Sequence, residues 1–255
     1  MIYLILSAAS AFFGMASGLG PTTLLRPLLD AVSPLSPSSV AMLATMATLC
    51  AALLSAFFAL GEPLPLHPDE LILLAAGAVI GGVLGDLAAA RFMRVIDESA
   101  VLLLQNALLA TIIALPSVYF ATLARTVRPL ALSRLFSFPV ALGTGLIASF
   151  LAFGAEPLSL MLYFLLFDAE NEESSVAALT IALCSMSGKL VTMLIRQRFA
   201  LPEASTLIWL LPGALLGALL AMAPAARRGA LGKSGDAVLR LSLFTSLINI
   251  AAAIL

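Results

Sequence analysis

Arg26, Glu156 and Lys189 each interrupt a long apolar stretch of the chain. Charge inside a bilayer is costly and by default marks a functional site. Arg26 follows a glycine-proline break, SGLGP at 17–21, and Glu156 lies inside a second one, FGAEP at 153–157. A proline just after a break suits the first turn of a helix, where its missing N–H costs nothing. Pro21 and Pro157 therefore each mark the start of a half-helix. Such an end offers unpaired backbone N–H groups and partial positive charge, which favour an anion. Gly18 and Gly20 allow a ligand close to the backbone, and Thr22, Thr23 and Ser159 offer hydroxyls in the first turns. With Ser17, Gly154, Arg26 and Lys189 these residues form the candidate anion-binding set. Glu156 would repel an incoming anion. Either a basic residue such as Lys189 or Arg26 neutralises it, or burial makes it take up a proton, which would couple transport to protons. Arg26 has a structural alternative, snorkelling or pairing with Asp30 one turn on. Lys189 could snorkel toward Arg196, although Ser185, Ser187 and Gly188 make its helix face polar and narrow. Asp86 is expected in an interfacial pair with Arg91.

The elements that position these residues must be membrane helices. The chain has 255 residues, of which 62% are hydrophobic and 11% charged, with a mean hydropathy of +1.11. A soluble domain carries about 25% charged residues. The net charge of -1 provides no field that would hold nucleic acid. Apolar stretches run over residues 2–31, 38–60, 70–91, 99–123, 138–167, 174–195, 204–223 and 238–255. About 20 residues span the hydrocarbon, and stretches this rich in Leu and Ala suit helices rather than barrel strands. The fold class is all-α, polytopic membrane. No Lys or Arg precedes the first apolar run, so it is expected to stay in the mature protein rather than act as a signal peptide. Cys50 and Cys184 read as small hydrophobes, and His67, in the loop EPLPLHPDE beside Asp69 and Glu70, as a solvated loop residue. No metal-ligand cluster is present in the sequence and no cofactor is expected.

One ungapped shift of 136 residues superposes the two halves: Gly18 falls on Gly154, Pro21 on Pro157, Ser38 and Ser39 on Ser174 and Ser175, Gly77 on Gly213, Gly81 on Gly217 and Arg91 on Arg227. Residues 1–123 and 138–255 are then two membrane repeats of four segments, joined by a linker at 124–137. Paired broken helices in duplicated halves build central sites in many secondary transporters. As one straight helix, an interrupted segment of about 30 residues would run about 45 Å, beyond a single span. Each is therefore expected to be a re-entrant hairpin, leaving three spans per half and inverted repeats. Loop basic residues divide four against seven on this reading and five against six for eight plain spans, a weak preference for the hairpins, with both termini outside.

The chain resembles the sulfite exporter (TauE/SafE) family. GMASGLGPTTLLRPLL and its weaker counterpart IASFLAFGAEPLSLMLYFLL carry the resemblance, each followed by a polar loop, an Ala- and Thr-rich helix and a helix with small-residue spacing, AAGAVIGGVLGD or LPGALLGALLAM. It covers nearly the whole length. It implies a four-plus-four helix transporter of small sulfur-containing anions such as sulfite or organosulfonates in the bacterial cytoplasmic membrane. The family's Gly-rich break and following proline would map onto Gly18, Gly20 and Pro27 and onto Gly154. The chain departs from that pattern at Pro21 and Thr22, at Ala155, Glu156 and Pro157, and at Leu162, where no proline stands.

Sequence reasoning thus predicts a secondary transporter, and an exporter, of a small anion, alternating around a site between the two breaks. Its partners are that anion and the lipid bilayer. The small-residue spacings are assigned to packing inside the bundle ahead of a dimer interface, and a homo-oligomer stays open. Two other readings are weighed. An intramembrane hydrolase would need a nucleophile with its base at depth, and the only His is in a loop. A non-transporting assembly subunit would not need Arg26, Glu156 and Lys189 at depth.

Overall fold

A computed structural model describes the chain apart from residues 18, 21, 34, 60–63, 124–126, 197–203, 223–232 and 255. Among the described residues there are ten α-helices and no strand: α1 Ile2–Ala16, α2 Thr22–Val32, α3 Pro37–Ala59, α4 Pro68–Val95, α5 Glu98–Val118, α6 Ser137–Leu151, α7 Glu156–Phe167, α8 Asn171–Arg196, α9 Ala204–Ala221 and α10 Lys233–Ile254. A π turn, Tyr119–Leu123, extends α5 beyond Pro116, and a 3-10 turn, Arg134–Phe136, leads into α6. Among the described residues, five segments are long and apolar enough to cross a membrane: Pro37–Phe58, Pro68–Val95, Ala100–Thr122, Arg134–Leu151 and Asn171–Arg196. The protein is an all-α multi-pass membrane protein.

Both long apolar stretches with a Gly-Pro break are divided. The first becomes α1 and α2, of 15 and 11 residues, and the second α6 and α7, of 15 and 12. At 1.5 Å per residue the four α-helices reach about 16–23 Å, less than the about 30 Å of hydrocarbon; only with the 3-10 turn before it does α6 become the segment Arg134–Leu151 that is long and apolar enough to cross. In each pair the second helix folds back beside the first. Near the start of α1, the Tyr3 hydroxyl donates to Ser33 Oγ, just past the end of α2, at 3.5 Å. Just before α6, Leu130 N–H and Leu132 N–H donate to the Leu165 and Leu166 carbonyls of α7 at 2.8 and 2.7 Å.

The second break turns on residues without the freedom of glycine. Ala152 and Ala155 hold φ of 51° and 53°, the left-handed region that costs an L-residue about 1 kcal/mol or more. Phe153 N–H reaches back to the Ala148 carbonyl at 3.0 Å, closing the end of α6. In the first break the positive φ, 82°, belongs to Gly20. Inside α2, Pro27 has no N–H for the Thr23 carbonyl four residues back. Ser242 Oγ of α10 donates to that carbonyl instead, and Asn249 Nδ2 donates to the Pro27 carbonyl at 2.9 Å. A freed backbone group away from water needs such a substitute.

Glycines set how the hairpins dock. On α4, Gly77 faces Phe138 and Ala141, Gly81 faces Leu142 and Leu146, and Gly85 faces Leu146 and Phe150, so α6 runs alongside α4 in the same direction. On α9, Gly213 faces Leu4 and Ser7 and Gly217 faces Ala8 and Ala11, giving α1 the same relation to α9. Thus α6 packs on α4 and α1 on α9, each across to the other half of the chain. The small-residue spacings serve packing inside the bundle.

Candidate functional site

The two breaks meet. A Cβ built on Gly20 would run into the Glu156 carboxyl group, and so would one built on Gly154. Leu19 packs in one apolar cluster with Phe153, Ala155 and Leu158. Glu156 is the first residue of α7 with Ala155 as N-cap, and 4% of it is exposed. The carboxyl group therefore lies between the two breaks, at the positive end of a half-helix. Beside it is a cavity of about 190 Å³ lined by Met15, Gly20, Ala52, Ser55, Glu156 and Ser175, with walls from α3 and α8. About 10–15 Å³ holds one water, so a small solute fits.

Several residues of the expected set are built into or beside this junction. Ser17 is buried; its N–H donates to the Phe13 carbonyl and its hydroxyl to the Gly14 carbonyl at 2.9 Å, so its polar groups end α1. Thr23 Oγ1 donates to the Leu19 carbonyl at 2.5 Å. Ser159, in the first turn of α7, is fully buried, and its Oγ has no hydrogen-bond partner among the described residues. Gly18 and Pro21 lie outside the described residues, as does the Thr22 side chain.

A model of the family described as Sulfite exporter TauE/SafE matches residues 3–254. The chain belongs to the TauE/SafE family. No curated protein and no solved structure matches it. Membership makes it a membrane transporter, since the family is one of sulfite exporters.

In this TauE/SafE protein two buried cations among the described residues, Lys189 and Arg26, are linked to the last turn of α6. Lys189, 2% exposed, donates to the Ser149 carbonyl and lies 3.5 Å from Asp86 Oδ1. Arg26, 1% exposed, bonds Asp30 Oδ2 through Nε at 3.0 Å and Gln105 Oε1 through Nη2 at 3.1 Å. Gln105 in turn donates to the Phe150 carbonyl at 3.5 Å. The carbonyl end of α6 carries partial negative charge, which positive groups stabilise. Arg26 therefore does form the pair with Asp30 that its spacing allowed, while Nη1 has no hydrogen-bond partner among the described residues. Lys189 does not snorkel.

Two carboxylates differ from their sequence reading. Asp86 is buried and pairs with Lys189 and with Arg196 Nη1 at 3.3 Å rather than with Arg91. It sits on the glycine face of α4, beside Gly82 and Gly85, where the backbone of α6 and α8 excludes water. An acidic residue one position after that stripe was the available signal. Glu70, read with His67 as part of a solvated loop, is 3% exposed and gathers Arg134 Nη1, Ser137 Oγ and the Tyr163 hydroxyl. It ties α4 to both arms of the second hairpin. His67 itself is exposed, as expected.

Proposed function

We propose that this protein is a secondary transporter, working as an exporter, of a small anion of the sulfite or organosulfonate kind in the bacterial inner membrane. Its hairpins α1–α2 and α6–α7 are re-entrant, dipping to the middle of the bilayer from opposite faces, and the two repeats are inverted. The anion sheds its water between the starts of α2 and α7 and is passed from one face to the other as the halves rock about that junction. The family match supports the substrate class. The observation that carries the site is the contact of Gly20 and Gly154 with the Glu156 carboxyl group beside a cavity of about 190 Å³.

In this reading backbone N–H groups at the two helix starts and the Ser159 hydroxyl replace the anion's hydration. An ionised Glu156 would repel the anion, and proton uptake by Glu156 removes that repulsion, so anion occupancy is linked to the proton. Arg26 and Lys189 act at longer range, setting a positive potential behind the site while holding the end of α6 in place.

Liposomes containing purified protein and loaded with sulfite or methanesulfonate test this. Efflux above that of protein-free liposomes is expected, accelerated by an imposed proton gradient. Glu156→Gln should abolish the acceleration. A Glu156→Gln protein still driven by the gradient sinks the coupling role, and a folded wild-type protein that moves neither anion sinks the substrate class.

A further inference from the structure

A second cavity, of about 300 Å³, lies at the ends of α4 and α8 and the start of α3, and its lining includes Ser38, Ala90, Met93, Arg94 and Arg196. Among the described residues Arg94, exposed in the last turn of α4, forms no ion pair. Arg196 is 24% exposed and faces two ways, lining the cavity while its guanidinium reaches back to Asp86. Behind it, Asp86 is shared with Lys189. Arg94 and Arg196 thus both line the cavity, and Arg196 and Lys189 share the one carboxylate behind it.

The Asp86 contacts are loose. Its oxygens stand 3.3 and 3.4 Å from Arg196 and 3.5 Å from Lys189, whereas tight charge-assisted bonds measure about 2.7–2.9 Å. Asp86 Oδ2 makes no hydrogen bond of good geometry among the described residues. Arg196 is therefore free to exchange this carboxylate for another anion without losing a well-formed bond.

We propose that this cavity is an outer anion site, in which Arg94 and Arg196 hold the SO₃ head of a sulfonate or sulfite. Its ligand class rests on the transport reading above. Occupancy draws Arg196 off Asp86, leaving that carboxylate to Lys189. Lys189 holds the Ser149 carbonyl, three residues before the second break begins at Ala152. The outer site is thereby joined to the junction by one chain of contacts: anion, Arg196, Asp86, Lys189, α6. The phosphate of an anionic lipid shares this chemistry, and the committed occupant is the soluble anion.

The test places a cysteine at Ser38, in a protein with Cys50 and Cys184 changed to Ala, and follows its reaction with a negatively charged thiosulfonate reagent that itself carries a sulfonate. Methanesulfonate at constant ionic strength should slow labelling. Arg94→Gln should lower the labelling rate roughly fivefold, the scale of one exposed charge contact, and remove the protection. Unchanged labelling by methanesulfonate, or protection that survives Arg94→Gln, overturns the proposal. So does protection conferred by phosphatidylglycerol nanodiscs and absent in phosphatidylcholine nanodiscs, which would assign the site to a lipid headgroup. Liposome flux without protection at residue 38 removes this site and leaves the transport reading standing; protection without flux does the opposite.

Discussion

Lys189 and Asp86 show how a buried charge pair is held and what removing half of it does. Both are about 2% exposed at the side chain, so each depends on the other to offset lost hydration. Lys189→Met leaves Asp86 only Arg196 and strips the Ser149 carbonyl of its donor. Breaking such a pair costs about 3–5 kcal/mol. The expected outcome is a large fall in the thermal unfolding midpoint, much of it recovered in Lys189→Met with Asp86→Asn. Additive losses in that cycle would refute the coupling. At this scale the sequence was only partly legible. That Arg26, Glu156 and Lys189 are buried follows from their apolar neighbours, and Asp30 was within helical reach of Arg26. The partners of Asp86 were not visible, because Lys189 and Arg196 lie 103 and 110 positions further on (189 less 86, and 196 less 86), and helical spacing speaks only for neighbours three or four apart. Glu70 was misread for the same reason: its partners Arg134, Ser137 and Tyr163 arrive from another half of the chain.

The helices divide where glycine and proline break the run. The sequence segment 138–167 became α6 and α7 with a turn at residues 152–155, and 2–31 became α1 and α2. The apolar runs were legible as helices because a continuous stretch of Leu and Ala in lipid has no other way to satisfy its backbone. How closely they pack rests on single glycines. A side chain at Gly81 would press on the Leu142 carbonyl and the Leu146 amide, backbone atoms that cannot swing aside. Gly81→Leu is expected to force α4 and α6 apart and to reduce the yield of monodisperse protein severely. Gly143→Leu, on α6 with nothing within 4 Å of its added Cβ, should leave it nearly unchanged. Equal yields of the two variants, judged by size-exclusion chromatography, would rule out the close approach as the reason for the glycine.

On the scale of the whole molecule, the proposed re-entrant hairpins would determine which loops share a face. Ile2 and Ser36 belong to the end where Tyr3 meets Ser33, and Ser133 and Asp168 to the end where residues 130–132 meet 165–166. All four are exposed. Introduced singly as cysteines into a cysteine-free background in intact cells, residues 2 and 36 should react alike with a membrane-impermeant thiol reagent, and 133 and 168 alike in the opposite sense. Eight plain spans would instead separate 2 from 36 and 133 from 168, so that labelling pattern would overturn the re-entrant, inverted arrangement.

The sequence sufficed for the membrane class and the positions of the two breaks, because each is a property of residues close together along the chain. The meeting of Gly20 with Glu156, the docking of each hairpin on the opposite half and the counterion of each buried cation belong to the tertiary structure. They depend on which helices approach closely enough for backbone to touch backbone, and in a bundle surrounded by lipid, where apolar side chains face outward as well as inward, hydrophobic periodicity does not report that choice.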